Sequence, residues 1–305
     1  SRKNMRYFQT EYCRCAVTPK MIPKLIVLPF LLLITLPTFA AGRVECSSLK
    51  SRYVPEAVGY CALLPPSFDA QPNKKFPVLY FLHGLGGDHT FLITSGAWNV
   101  IEDLQEEKKI GEFVVIAPRA FTSFYINSKS GRIRYEDFFI RDFIPQMEKR
   151  FRLLNSRTAR AITGVSMGGY GALRFAFKYP QMFVSVSAHM PALMEQLPHA
   201  FGDMALNAFI GSAFGQPVDE TFWKFNAPFA FARTSNLRGL KIYFDCGDHD
   251  DYGFDGGSRE MDKLLTARHI PHTFHIYPGR HDAVYVAQHL PESLEFDSAA
   301  LGLSK

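Results

Sequence analysis

Outside its N-terminal 45 residues the chain lacks an excess of charge of either sign. The formal net charge of the 305 residues is +5, and residues 1–45 contain seven lysines and arginines but only two glutamates. Residues 46–305 therefore hold 27 basic and 27 acidic side chains. A formally neutral body offers no electrostatic attraction to nucleic acid or to an anionic membrane surface. The sequence predicts neither kind of partner.

The chain also lacks an apolar run long enough to cross a membrane comfortably. Residues 25–41 number 17 and include two prolines, whereas a spanning helix needs about 20 apolar residues. A basic start before this run and small residues at its end are typical of a secretory signal peptide. We expect residues 1–42 to be an upstream segment plus a signal peptide cleaved near 40–42, with an uncleaved anchor as the alternative. The mature protein would then be secreted or periplasmic, without a stable membrane anchor.

Cysteine is scarce, at five residues in 305. Two strand-like runs at 49–54 and 58–64 predict a hairpin, with Cys46 and Cys61 flanking it. In an oxidising compartment these two cysteines could pair, and two unpaired thiols are the alternative. Cys246 would be the odd cysteine, buried in the protein.

Neither an internal repeat nor a linker-like segment divides residues 43–305, so we predict one domain there. Further strand-like runs lie at 76–83, 113–117, 159–163, 183–188, 241–245 and 272–277. Helical patterns lie at 100–109, 136–151, 172–177, 258–268 and 282–290. Residues 189–238 have little strand signal and many aromatics, which indicates a helical insertion near the site. Strands that alternate with helices predict an α/β fold, with a mostly parallel sheet covered by helices on both faces.

The segment 164–168 reads Gly-Val-Ser-Met-Gly between a strand-like run and a helical pattern. Gly-x-Ser-x-Gly in that context is typical of a nucleophile elbow. Side chains at Gly164 and Gly168 would collide with the backbone of so sharp a turn. The turn would present the hydroxyl of Ser166 at the carboxyl edge of the sheet, and the Met167 N–H would face an oxyanion. An ordinary glycine-rich turn is the alternative, so the catalytic interpretation depends on partners elsewhere.

Two later loops could supply the base that a serine nucleophile needs. Residues 245–251 read Asp-Cys-Gly-Asp-His-Asp-Asp and residues 279–282 read Gly-Arg-His-Asp. Each loop follows a predicted strand directly, so both should lie at the same edge of the sheet as the elbow. We predict His281 to be the base, with His83 and His249 as rivals near the site.

The acidic loop could supply the carboxylate that orients the base. Asp245 still belongs to the strand, so its side chain is committed to one face of the sheet. Asp250 lies far enough along the turn to fold back over the edge, and we predict it to be the acid. The alternatives are a calcium site and a merely solvated acidic turn. The spacing does not match an EF-hand, which needs a closing glutamate, and we predict no metal site.

Residues 83–87 read His-Gly-Leu-Gly-Gly at the end of an early strand-like run. Such a loop can place a second backbone N–H for the oxyanion, which we assign to Leu85 as the partner of Met167. A flexible turn is the alternative interpretation of the segment alone. We expect His83 to make structural hydrogen bonds there.

Taken together, these motifs resemble the esterase D-like branch of the α/β-hydrolases. That branch includes feruloyl and acetylxylan esterases, S-formylglutathione hydrolases and secreted mycolyltransferases. The resemblance covers roughly residue 53 to the end and rests on residues 82–87, 164–172, 246–250 and 279–282. It implies an α/β-hydrolase fold, no required metal or cofactor, and the site residues Ser166, Asp250, His281, Leu85 and Met167.

We therefore predict a serine carboxylesterase that works through an acyl-enzyme on Ser166. An acyltransferase of the mycolyltransferase type is the alternative on the same fold, and a non-catalytic binding protein is the alternative from another class. The substrate would be a small-molecule or polysaccharide-linked ester. We identify no carbohydrate-binding module, no dockerin-like repeat and none of the substrate-binding features of mycolyltransferases.

Overall fold

The structure, a computed structural model, describes residues 42–197, 208 and 210–303. Residues 1–41, which carry most of the predicted upstream segment and signal peptide, lie outside the described residues, so that interpretation stays a prediction. Across the described part of the chain, no helix is both long and apolar enough to cross a membrane.

One sheet of eight strands forms the centre of the described residues. The strands are β1 Arg43–Leu49, β2 Val58–Leu64, β3 Val78–Leu82, β4 Val114–Pro118, β5 Arg160–Val165, β6 Ser185–His189, β7 Lys241–Gly247 and β8 Thr273–Tyr277. Their order in the sheet is β1-β2-β4-β3-β5-β6-β7-β8. Strand β2 pairs antiparallel with β1 and β4, and the pairs from β4 to β8 are parallel. The predicted mostly parallel sheet is confirmed.

Helices cover this sheet. They are α1 Ser67–Ala70, α2 Phe91–Thr94, α3 Ala97–Glu106, α4 Tyr135–Phe138, α5 Ile144–Arg150, α6 Met167–Lys178, α7 Glu220–Asn226, α8 Pro228–Thr234, α9 Phe254–Ala267 and α10 Ala283–Ala300. Helix α6 packs on β3, β5 and β6 and against α8, whereas α10 packs on β5, β6 and β7 and against α3. The described part of the predicted insertion contains α7, α8 and a helical turn at 210–214.

The prediction of a first strand at 49–54 is wrong. Strand β1 ends at Leu49, and turns and bends occupy most of the chain from there to β2. Cys46 stands directly opposite Cys61 in the antiparallel pair, and the two form a disulfide. All seven residues of β1 are exposed or half-buried, so this edge strand is defined by its pairing with β2 rather than by an apolar run.

Several helix boundaries also differ from the prediction, and helices α3 and α6 each begin before the predicted residue. A π-helical turn at Phe139–Phe143 separates α4 from α5, where one continuous helix was expected. Helix α9 begins at Phe254 rather than at residue 258, and it contains two adjacent glycines. Helix α10 continues beyond the predicted end at residue 290 and through Pro291, and buried residues such as Leu294 and Asp297 follow the proline.

The parallel strands bring several loops to one edge of the sheet. Strand β3 leads into the loop at 83–87, and β5 leads directly into Ser166. Strands β7 and β8 lead into the loops at 248–253 and 278–282. Because carboxyl ends of parallel strands share an edge, these four segments meet in one place, as the sequence predicts.

Candidate active site

Ser166 occupies the sharp turn between β5 and α6. Its backbone angles are φ 56° and ψ −115°, a conformation that residues other than glycine rarely adopt. A Cβ atom at Gly164 would lie 2.3 Å from the Gly168 carbonyl oxygen, and one at Gly168 would lie 1.9 Å from that of Leu82. The predicted collisions are confirmed, so both positions require glycine.

Backbone hydrogen bonds hold Ser166 in this conformation. Its N–H donates to the carbonyl oxygen of His189 at 2.9 Å. Its own carbonyl oxygen accepts from the N–H groups of Tyr170 at 2.9 Å and Ala192 at 3.0 Å. Strain of this kind persists only where the surroundings fix it, and here three hydrogen bonds do so.

His281 lies against Asp250. The distance from His281 Nδ1 to Asp250 Oδ2 is 2.6 Å, and the Asp250 side chain is fully buried. The other oxygen, Asp250 Oδ1, accepts from the N–H groups of Tyr252 at 2.9 Å and Phe254 at 3.2 Å. Burial would raise the pKa of Asp250, but the hydrogen bond and charge of His281 and the two N–H groups together hold that pKa below its ordinary value. The carboxylate is therefore ionised at neutral pH and accepts the Nδ1–H of His281.

Two aromatic rings fix the imidazole from the sides. Tyr252 meets His281 edge to face at a centroid distance of 4.8 Å, and Phe254 does so at 5.4 Å. Neither ring was predicted from the sequence, although both follow Asp250 within four residues. An aromatic residue close behind the acid would have been the signal.

The neighbouring carboxylates have other partners. Asp248 Oδ1 accepts the Gly279 N–H at 3.0 Å and contacts His249 Nδ1 at 2.7 Å. Asp251 pairs with Arg280 and accepts the backbone N–H of His281 at 3.2 Å. Both carboxylates thus brace the loop that carries His281 without touching its ring. The His249 side chain is 80% exposed, which sets this rival apart from the ring that Asp250 contacts.

His83 supports the loop at 83–87. The Ala120 N–H donates to His83 Nε2 at 2.8 Å, so Nδ1 carries the hydrogen and donates to the Gly84 carbonyl oxygen, also at 2.8 Å. Burial lowers the pKa of His83 to about 4, which keeps the ring neutral. The structural role expected for His83 matches these contacts. Within the described part of the chain, the backbone N–H groups of Leu85 and Met167 have no acceptor.

A cavity of about 300 Å³ brings these groups together. Ser166 and His281 both line it, as does the loop residue Leu85. The rest of the lining is mainly apolar and includes Phe91, Met190, Ala283 and Val286. A hydroxyl, an imidazole and a loop rich in backbone N–H groups therefore face one mostly apolar space, an arrangement suited to acyl transfer.

Residues 51–296 match the family model described as “Putative esterase”. The chain belongs to this esterase family. It is 30% identical over 246 residues to Esterase Rv1288 of Mycobacterium tuberculosis, a match that covers 73% of this chain and 52% of the relative. The chain therefore spans about half the length of the curated relatives it matches.

Two solved structures are similar to this chain in fold. A ferulic acid esterase is similar with a TM-score of 0.74 and 26% identity, covering 86% of this chain and 99% of the other. An S-formylglutathione hydrolase from Agrobacterium tumefaciens is similar with a TM-score of 0.71 and 19% identity, covering 88% and 99%. The second likeness concerns the fold alone. The resemblance to the esterase D-like branch and the α/β-hydrolase fold are confirmed.

Proposed function

We propose that this esterase is a serine carboxylesterase that hydrolyses its substrate through an acyl-enzyme on Ser166. One observation carries the proposal. The strained Ser166 at the start of α6 shares a cavity with His281, whose ring contacts the buried Asp250. A serine, a histidine and a carboxylate at the carboxyl edge of a parallel sheet form the arrangement that activates a hydroxyl for attack.

Acylation begins when Ser166 Oγ attacks the ester carbonyl carbon. His281 takes the hydroxyl proton on Nε2, and Asp250 stabilises the imidazolium through the hydrogen bond to Nδ1. The negative charge on the former carbonyl oxygen is stabilised by the N–H groups of Leu85 and Met167, the latter at the positive end of α6. Each such donor contributes a factor of about 10²–10³ in kcat.

The tetrahedral intermediate collapses as the bond to the alcohol oxygen breaks. His281 gives its proton to that oxygen, the alcohol leaves, and the acyl group stays on Ser166. Water then attacks the acyl carbon while His281 takes a proton from that water. The bond between the acyl carbon and Ser166 Oγ then breaks, and His281 returns the proton to Oγ. This step releases the carboxylic acid and restores the enzyme.

The substrate is proposed to be a small-molecule or polysaccharide-linked ester. The names of an esterase from Mycobacterium tuberculosis and of a ferulic acid esterase among similar proteins support a carboxylic ester. The mainly apolar lining of the cavity supports an apolar acyl group close to Ser166. No metal takes part in the proposed reaction, since the residues named above perform each proton transfer.

A substrate panel with one matched variant tests the proposal. We expect the purified protein to hydrolyse at least one of p-nitrophenyl acetate, p-nitrophenyl butyrate, methyl ferulate and acetylated xylan. Ser166→Ala should lose on the order of 10⁶ in kcat while its thermal midpoint stays near that of the wild type. A well-folded Ser166→Ala protein that keeps about a tenth of the activity would contradict the role of Ser166.

Export to an oxidising compartment is the second part of the proposal. The Cys46–Cys61 disulfide supports it, because disulfides persist mainly outside the cytosol. N-terminal sequencing of exported protein should find a start near 41–43. Active cytosolic protein that still carries residues 1–40 would contradict this location.

A further inference from the structure

A buried carboxylate that the proposed mechanism does not use lies beneath the candidate site. Asp245 is in β7, and its side chain is fully buried. Asp245 Oδ1 accepts the hydroxyl of Tyr285 at 3.0 Å. Asp245 Oδ2 lies 2.8 Å from Nδ1 of the equally buried His189, a close polar contact rather than an aligned hydrogen bond.

Tyr285 connects Asp245 to the loop that carries His281. It is in the first turn of α10, where its N–H donates to the Asp282 side chain at 2.8 Å. Its ring lies directly against Gly279, because a Cβ atom at that glycine would be 2.5 Å from Tyr285 Cδ2. A shift of the Tyr285 ring would therefore move the backbone two residues before His281.

His189 connects the same carboxylate to the nucleophile elbow. The carbonyl oxygen of His189 accepts the N–H of Ser166 at 2.9 Å. The next residue, Met190, lines the cavity and donates its N–H to the Asp245 carbonyl oxygen at 2.8 Å. The other ring nitrogen, His189 Nε2, lies 2.8 Å from Ser293 Oγ of α10. One buried pair thus contacts both the turn that carries Ser166 and the helix that follows His281.

The burial of the Asp245–His189 pair is not explained by its contribution to stability. An ionisable pair in a protein interior loses its hydration, and apolar side chains of similar size often stabilise the fold at least as well. Asp245, His189 and Tyr285 are each at most 1% exposed, so none of them can touch a substrate. The three residues instead make directional contacts that fix the turn at Ser166 relative to the loop that carries His281.

We propose that Asp245, together with Tyr285 and His189, is a positioning residue that fixes His281 relative to Ser166. This inference rests on the proposed function, because the distance between the side chains of Ser166 and His281 matters only if a proton passes between them. Proton transfer and attack need a close, aligned geometry, and a misplacement of about 1 Å can cost about 10²-fold in rate.

Tyr285→Phe tests the proposal with the smallest change. It removes the hydroxyl that contacts Asp245 and keeps the ring that lies on Gly279. We expect kcat for a short ester to fall about 10- to 100-fold with KM unchanged. The matched control is Tyr179→Phe, which removes a tyrosine hydroxyl that donates to the carboxylate of Glu136, away from the cavity. The control should keep wild-type kcat. If Tyr285→Phe does not fold, Asp245→Asn serves as the second variant, with the same expected fall in kcat.

A second readout separates this inference from the proposed function. The NMR signal of the His281 Nδ1 proton, which lies in the hydrogen bond to Asp250, should shift in Tyr285→Phe and stay unchanged in Tyr179→Phe. If the wild type neither hydrolyses esters nor reacts with a fluorophosphonate, the proposed function fails, and this signal still decides whether Tyr285 positions the ring. A Tyr285→Phe protein with wild-type kcat, or with an unmoved His281 signal, would overturn the inference.

Discussion

His281 Nδ1 lies 2.6 Å from Asp250 Oδ2, while Asp250 Oδ1 accepts two backbone N–H groups. Three donors thus fix both oxygens of one buried carboxylate. The imidazole that meets this carboxylate also contacts the rings of Tyr252 and Phe254. The orientation of His281 is therefore set by the folded loop at 250–254, and its Nε2 is left for chemistry.

Asp250→Asn should abolish most activity while it keeps the shape of the side chain. An amide cannot stabilise the imidazolium, and it favours the wrong tautomer of His281. We expect kcat to fall on the order of 10⁴-fold. Asp248→Asn is the matched control, because Asp248 contacts the Gly279 N–H but not the imidazole of His281, and its kcat should fall only a few-fold. Steady-state kinetics on a short ester would measure both, and a crippled Asp248→Asn beside an active Asp250→Asn would reverse the assignment.

The elbow should not tolerate alanine at Gly168. The added Cβ would lie 1.9 Å from the Leu82 carbonyl oxygen, so β3 and α6 would have to separate. We expect Gly168→Ala to yield unfolded or inactive protein, measured by thermal unfolding and ester hydrolysis. Gly256→Ala is the control, because nothing lies within 4 Å of its added Cβ on α9. Alanine there should stabilise the protein by about 0.5–1 kcal/mol, and equal effects of the two changes would refute the steric account.

Asp297 predicts a dependence of stability on pH. Burial raises its pKa to about 7, although hydrogen bonds from Ser185 and Ser187 oppose the shift, and its ordinary pKa is 3.8. Between these values the folded state holds a proton that the unfolded chain releases. The stability that this group contributes is therefore lost as pH rises through the window, and the loss is complete above about pH 7.

Asp297→Asn should remove this dependence. We expect the free energy of unfolding of the variant, relative to the wild type, to rise by on the order of 2–3 kcal/mol from about pH 5 to about pH 8. Urea unfolding at both pH values measures it. The exposed Asp103, changed to asparagine, controls for the loss of a carboxylate at the surface. A difference between Asp297→Asn and wild type that stays constant with pH would refute the raised pKa.

The central strands could be predicted because strands buried on both faces need continuous apolar runs. Strands β3 and β4 are buried along their whole length, and their runs were recognisable. The turn at Ser166 and the loops beside it could be predicted because the proposed chemistry requires glycine, serine, histidine and aspartate in a fixed chain order. Both signals are local, since each depends on neighbouring residues in the sequence.

Features that depend on distant partners were not predictable. Strand β1 has no apolar run of its own and is defined by its pairing with β2. Helix α9 includes a glycine pair near its start, and Gly257 packs against the distant Leu193, whose carbonyl oxygen would lie 1.9 Å from a Cβ atom at that glycine. The hydrogen bond from Tyr285 to Asp245 joins residues 40 positions apart, and no local sequence pattern predicts it. Tertiary packing decides such features.

The most direct test of the account is reaction with a fluorophosphonate probe followed by peptide mass spectrometry. An activated serine reacts with such a probe, whereas an ordinary surface serine does not. We predict one phosphonylated residue, Ser166, in the wild type, with no labelling of Ser166→Ala and strongly reduced labelling of His281→Ala. Absence of labelling in folded wild-type protein, or equal labelling of Ser166→Ala, would contradict a serine esterase mechanism.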